Sequence, residues 1–226
     1  MRGHGTRHIV RAVWYDLRDV TLTNLVHRRH RWYFGGEYAY CTVRNVLWPF
    51  GYQPGGALPG QLEAGVTKLE RGHSVYKEVN TEDKHFRLLQ ATCAMPLMFP
   101  VFHLDGKPYL DGGAADAVPY RRAFEQGCDR VVVILTKPRS FVRKPEKLLP
   151  LLQRRYREYP NFCRTMEERS ERDNQSRAEL FRLEKEGKAL VIAPNTLHGV
   201  GRIEHNVDKL RMLWAEGYQQ GMENME

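Results

Sequence analysis

The sequence predicts an α/β fold, a sheet with helices on both faces. Two observations carry this. From residue 100 onward the segments run hairpin, helix, strand, long helices, strand, helix, and strands alternating with helices imply a sheet with helices packed on its faces. Within that order, Arg130 to Thr136 is a continuous apolar run, as expected of a strand buried on both faces of a parallel sheet. Length and composition agree: 226 residues, 42% hydrophobic and 11% aromatic, suit one such domain or most of a larger one.

The elements follow in chain order. Residues 1–36 hold seven Arg against Asp16 and Asp19, and four of the nine His (His4, His8, His27, His30). Ile9 to Tyr15 is a candidate strand. Residues 48–61 form a Pro/Gly loop too broken for helix or sheet. Leu62 to Leu69 and Ser74 to Val79 read as strands of a hairpin across Glu70-Arg71-Gly72-His73. Thr81 to Ala94 reads as a helix with Phe86, Leu89, Gln90 and Cys93 facing inward, stopped by Pro96.

Val101 to Leu104 and Lys107 to Leu110 flank Asp105-Gly106, a favoured two-residue hairpin turn. Pro119 and Gly127 bracket a helix over Tyr120 to Gln126. Residues 145–186 are charged and helical with a break at Pro160, and Glu184–Lys188 is an i,i+4 pair of opposite sign. The pairs Leu148-Leu149 and Leu151-Leu152 suit core or substrate-side packing. Ala189 to Ala193 reads as a second buried strand, and Val207 to Met222 as a final amphipathic helix.

A net charge of +8 fits an anionic partner such as a phospholipid surface, and equally a merely basic soluble protein. The cluster from His27 to Arg31, with Trp32, Tyr33 and Phe34 beside it, comes with no nucleic-acid fold signature, so no nucleic-acid partner is expected. Cys41, Cys93, Cys128 and Cys163 form no Cys-x-x-Cys pair, which argues against zinc and against a disulfide framework. His73, His85, His103, His198 and His205 lack metal-ligand spacing; no metal and no cofactor is expected. With no secretory signal and no apolar run near the ~18 residues of a membrane span, the expected location is cytoplasmic, with peripheral membrane contact.

One stretch points to chemistry. Ala91 to Pro100, a hairpin, then Tyr109-Leu110-Asp111-Gly112-Gly113 and Ala114 to Pro119 follow one another. Read alone, Asp111 is a turn-forming residue whose glycines take φ > 0, and Asp105-Gly106 is the internal control for that reading. Yet ligands of open α/β sheets bind beyond the strands' carboxyl ends. The block, with Gly127 to Val133, Val191 to Pro194, Gly201 to Glu204, Asp208 to Leu210 and Gly217-Tyr218, resembles a bacterial branch of the patatin-like phospholipase family over roughly residues 62–222.

The resemblance implies a patatin-like sheet and a serine acyl hydrolase acting on lipid or acyl esters. A Ser on a strand-to-helix elbow attacks the carbonyl, and Asp takes its proton with no His between them. Asp111 maps onto that base, and Gly112 and Gly113 onto the substrate-side backbone that approaches the nucleophile. Asp116 is expected to be a helix-entry residue. No Gly-x-Ser-x-Gly occurs in the sequence; the nearest imitation, Gly72-His73-Ser74-Val75-Tyr76, reads as a hairpin. The resemblance therefore implies that the N-terminal portion of the family fold is missing, through an internal start at Met1 or loss of the upstream half. Residues 1–61 are set apart as a divergent basic segment and 62–226 as the C-terminal part of the family domain. The competing expectation is a non-catalytic module that binds an anionic lipid surface.

Overall fold

The β-branched pair Val66-Thr67, both wholly buried, favours a strand at Glu63–Lys68 (EAGVTK), β1. The computed structural model describes residues 61–79, 86–201 and 204–224. The candidate strand at Ile9–Tyr15, the loop at 48–61 and the start of the helix at Thr81 lie outside them. The chain divides into two compact units.

The first unit takes its described residues from 61–117 and 145–170. β1 pairs antiparallel with β2 (His73–Glu78) on one side and with β4 (Lys107–Asp111) on the other; β3 (Phe102–Leu104) completes the order β2-β1-β4-β3. Both predicted hairpins are present. At the β3–β4 turn Asp105 and Gly106 take φ 52° and 73°, the positive values that a two-residue hairpin turn needs. At the β1–β2 turn Gly72 has φ +69°, and an added Cβ would collide with Asn161 of a helix behind it.

The described part of the predicted helix at 81–94 is α1 (Arg87–Thr92), entered through Phe86 at φ 47°. Its inward face differs from the expectation: Phe86 and Ala91 are buried, whereas Cys93 is exposed. The helix ends one residue before Cys93, so the 3.6-residue period no longer sets that side chain's direction.

Pro160 separates α3 (Leu149–Arg155) from α4 (Pro160–Glu167), where it occupies the first turn, as its missing N–H favours. α3 and α4 close the core over the sheet: Leu152, Tyr156, Phe162 and Met166 pack with Leu69, Ala94, Leu110 and Ala114. Burial pushes the Tyr156 phenol above its usual range, although its oxygen accepts the Leu97 N–H at 3.0 Å. Thr165 Oγ1 donates to the Gly72 carbonyl and Asn161 Nδ2 to that of Glu70 (2.9 Å), tying α4 to the hairpin. The leucine pairs split, with Leu149 and Leu152 in this core and Leu148 and Leu151 exposed.

The second unit has described residues in 118–144, 171–201 and 204–224. Here the alternation of strand and helix gives parallel pairing: β5 (Val131–Ile134) runs beside β6 (Ala189–Ile192). Tyr120 of α2 (Tyr120–Glu125) and Leu180 of α5 (Arg169–Lys185) pack on Val131, Val133 and Val191. Gly127, at φ +90°, stops α2 as expected. The two strands are not buried on both faces, however. Val132 is 65% and Ile134 74% exposed, because among the described residues the helices cover one face only. Burial therefore alternates with the pleat.

α6 (Val207–Glu223) is capped by Asn206, whose side chain accepts the N–H groups of Asp208 and Lys209. Glu216 anchors it, meeting His198 Nε2 at 2.6 Å and accepting from the Asn195 N–H at 2.6 Å. Among the described residues no helix is long and apolar enough to cross a membrane.

The expected Glu184–Lys188 pair is replaced. Lys188 turns to Glu186, while the Glu184 carboxylate accepts two hydrogen bonds from Arg139 (2.6 and 2.7 Å) and one from the Val191 N–H (3.2 Å). The hydrogen bond from Arg139, then its charge, holds Glu184 below the usual 4.5. A carboxyl lowered in the folded state adds stability above 4.5 that is lost as pH falls through the folded value. Glu184→Gln is expected to lower the thermal midpoint at neutral pH and to flatten the fall of stability below pH 4.5, checked by thermal unfolding across that range.

Candidate functional site

The end of β4 does not behave as an ordinary Asp-Gly turn. Asp111 has φ −41° and ψ 128° and caps a 3₁₀ turn, Gly112–Ala114. Neither Gly112 nor Gly113 is among the glycines with positive φ, whereas Gly106 of the control hairpin is. Glycine is needed here for space. A Cβ on Gly112 would fall 2.6 Å from the Gly65 carbonyl carbon and closer still to its oxygen. The two backbones touch, and β1 sets the height of the turn.

Thr67 fixes the rest. Fully buried on β1, its Oγ1 donates to the Asp111 carbonyl at 2.7 Å and accepts the Ala115 N–H at 3.1 Å. One hydroxyl thus spans the turn from before Gly112 to after Ala114. The Asp111 N–H donates to the Ala94 carbonyl at 3.0 Å, which places the end of the α1 segment on the other side. Thr92 Oγ1 in turn donates to the Gly65 carbonyl at 2.5 Å.

The Asp111 carboxylate is half-buried, and its Oδ1 accepts the Gly113 N–H at 2.7 Å. A Cβ on Gly113 would lie 3.2 Å from that oxygen and 3.8 Å from Nη2 of Arg169, the first residue of α5. Arg169 Nη1 is 3.6 Å from Glu146. Asp116 stands just beyond the turn, where its Oδ2 accepts the Tyr76 hydroxyl at 2.5 Å. It thus braces the turn against β2.

Asp111, Gly112 and Gly113 are accordingly one rigid feature, while Ser74 is elsewhere. Ser74 lies within β2, opposite Thr67. The sequence has only three other serines, Ser140, Ser170 and Ser176. Ser140 follows β5, and the other two lie in α5. None of the four stands on a strand-to-helix elbow. Among the described residues no group of three or more His, Cys, Asp or Glu gathers as a metal site would require.

Sequence reasoning missed Gly65, Thr67 and Arg169. Gly65 carried a signal, since a glycine inside a strand marks a bulge or a close backbone neighbour. Thr67 carried none, because a β-branched residue in a strand is unremarkable. The contrast between the glycines is testable. Gly112→Ala is expected to destabilise by about 1–3 kcal/mol or more, as overpacking does, and Gly113→Ala by less. Thr67→Val is expected to cost about 1–3 kcal/mol through its orphaned partners. Urea unfolding measures all three.

Two family comparisons match the chain. Residues 159–226 match a domain of unknown function, DUF6363. Residues 9–124 match the patatin-like phospholipase family, a span that holds β1, the Asp111 turn and most of the stretch set apart as divergent. No curated protein matches the chain. With over half of its length in that second match, the chain belongs to the patatin-like phospholipase family.

Proposed function

We propose that this chain carries the base half of a serine lipid acyl hydrolase, with Asp111 as the general base of a Ser–Asp dyad. The observation that supports it most is the Asp111 turn: a carboxylate at the carboxyl end of a strand, held by the Gly113 N–H at 2.7 Å on a backbone that packing keeps rigid. In the reaction a serine hydroxyl adds to the ester carbonyl while Asp111 accepts its proton. The proton then goes to the departing alcohol, leaving an acyl-enzyme for water to cleave. Gly112 and Gly113 present only backbone on the approach to the carboxylate. The substrate class is a lipid or acyl ester, and no cofactor takes part.

The serine is the missing component. No Gly-x-Ser-x-Gly occurs in the sequence and no serine of the chain sits on an elbow, so the 226 residues alone are proposed to be inactive. Residues 62–226 then act as the C-terminal part of the catalytic domain.

A second reading, a non-catalytic module on anionic lipid, draws on other features. The chain carries +8, and α6 has no buried residue and exposes Met212, Trp214, Tyr218 and Met222, with Trp214 and Tyr218 stacked at 5.5 Å. Aromatic rings on a helix face suit a membrane interface. This reading predicts binding to anionic vesicles that weakens with salt, and binding indifferent to lipid charge and salt would count against it.

The enzyme reading is tested with a fluorophosphonate probe and mass-spectrometric mapping. The folded 226-residue chain is expected to stay unlabelled. Extended through any in-frame upstream Gly-x-Ser-x-Gly, it is expected to label on that serine and hydrolyse short esters, with Asp111→Asn lowering kcat by roughly 10²–10⁴-fold. An unlabelled chain with no such motif upstream would sink the enzyme reading. Labelling of one of the four serines, lost in Asp111→Asn, would show that the nucleophile is within the chain after all.

A further inference from the structure

Arg169 lies outside the patatin-like match and inside the 159–226 region whose family has no known function. It is the first residue of the 17-residue helix α5. Its side chain is only 17% exposed. A guanidinium largely shielded from water calls for an anionic partner nearby.

Glu146 is one, and the Asp111 turn lies on the other side. Nη1 is 3.6 Å from Glu146 Oε2. Nη2 points the other way, toward the Asp111 turn: the position a Cβ would take on Gly113 is 3.8 Å from Nη2 and 3.2 Å from Asp111 Oδ1. A guanidinium presents five N–H donors in a fork and can serve two carboxylates at once. Its backbone is firmly placed, since Met166 and Phe162 of α4 are in the core with Ala114 of the same turn and Thr165 bonds to Gly72.

We propose that Arg169 is a positioning residue for Asp111, so that the 159–226 region completes the environment of the carboxylate in the patatin-like part. A positive charge beside the carboxylate favours its ionised form, which the role of base requires. The inference rests on the general-base reading of Asp111 for its purpose, though not for its geometry. Among the described residues, Glu146, Asp116 and Tyr76 also stand around the turn, the last two hydrogen-bonded to each other.

The test is the titration of the Asp111 side-chain carboxyl, followed by carbon NMR in the full chain and its variants. Arg169→Gln is expected to move the midpoint to higher pH by removing an attracting charge, and Glu146→Gln to lower pH by removing a repelling one. Arg169→Lys should fall between wild type and Arg169→Gln. A residue that merely supports the fold would not produce shifts of opposite sign. An Asp111 midpoint unchanged by Arg169→Gln overturns the proposal. Should Arg169→Gln fail to fold, Glu146→Gln decides alone, and a midpoint that stays or rises overturns it. Failure of the base reading appears differently, as hydrolysis unaffected by Asp111→Asn in a chain that bears the elbow.

Discussion

At Gly65 and Gly112 two stretches of backbone meet with no space for a side chain between them. Everything at the candidate site hangs on that approach. It brings β1 against the end of β4, where Val66 pairs with Asp111. It also lets the Thr67 hydroxyl reach both sides of the 3₁₀ turn. The carboxylate then has little freedom, since its own strand, the turn and the Gly113 N–H fix its direction. The proposed role as general base would need precision of this kind, for misplacement by even an ångström costs rate.

The support for this turn comes from well separated parts of the sequence. β1 precedes it by some forty residues, and α4 follows it by about as many. α4 and the start of α5 share a compact unit with the turn, although the family match that contains them is a different one. The C-terminal region is therefore more than an appendage, because its first helix supplies the back wall of the core behind Ala114. α3 and α4 bury Leu152, Tyr156, Phe162 and Met166 there, and removing that apolar surface from water favours the packed sheet.

Local chemistry was legible in the sequence wherever it is decided within a few residues. Both hairpins, the stop at Gly127, the break at Pro160 and the parallel pair β5/β6 follow from turn residues and apolar runs. So did the family, from the block around Asp111. What was not legible depends on partners distant in the chain. An apolar run such as Val131 to Ile134 does not say whether one face or two will be covered. The charge pair at Glu184 went to Arg139, forty-five residues away, instead of to its helical neighbour. Cys93 looked inward by periodicity, yet the helix had ended. At the site, the Asp-Gly-Gly block stood out in the sequence and Thr67 did not, since no local pattern tells a buried bridging hydroxyl from a strand threonine.

Native-state hydrogen exchange at the Gly113 and Ala115 amides tests the central claim most directly. If the turn is locked by the Asp111 carboxylate and the Thr67 hydroxyl, these amides should exchange as slowly as those of β1 and β4, through the same cooperative opening. Exchange as fast as that of the open Asp105-Gly106 turn would contradict it, and Asp111 would then be a mobile turn residue instead of the fixed carboxylate that the proposed base requires.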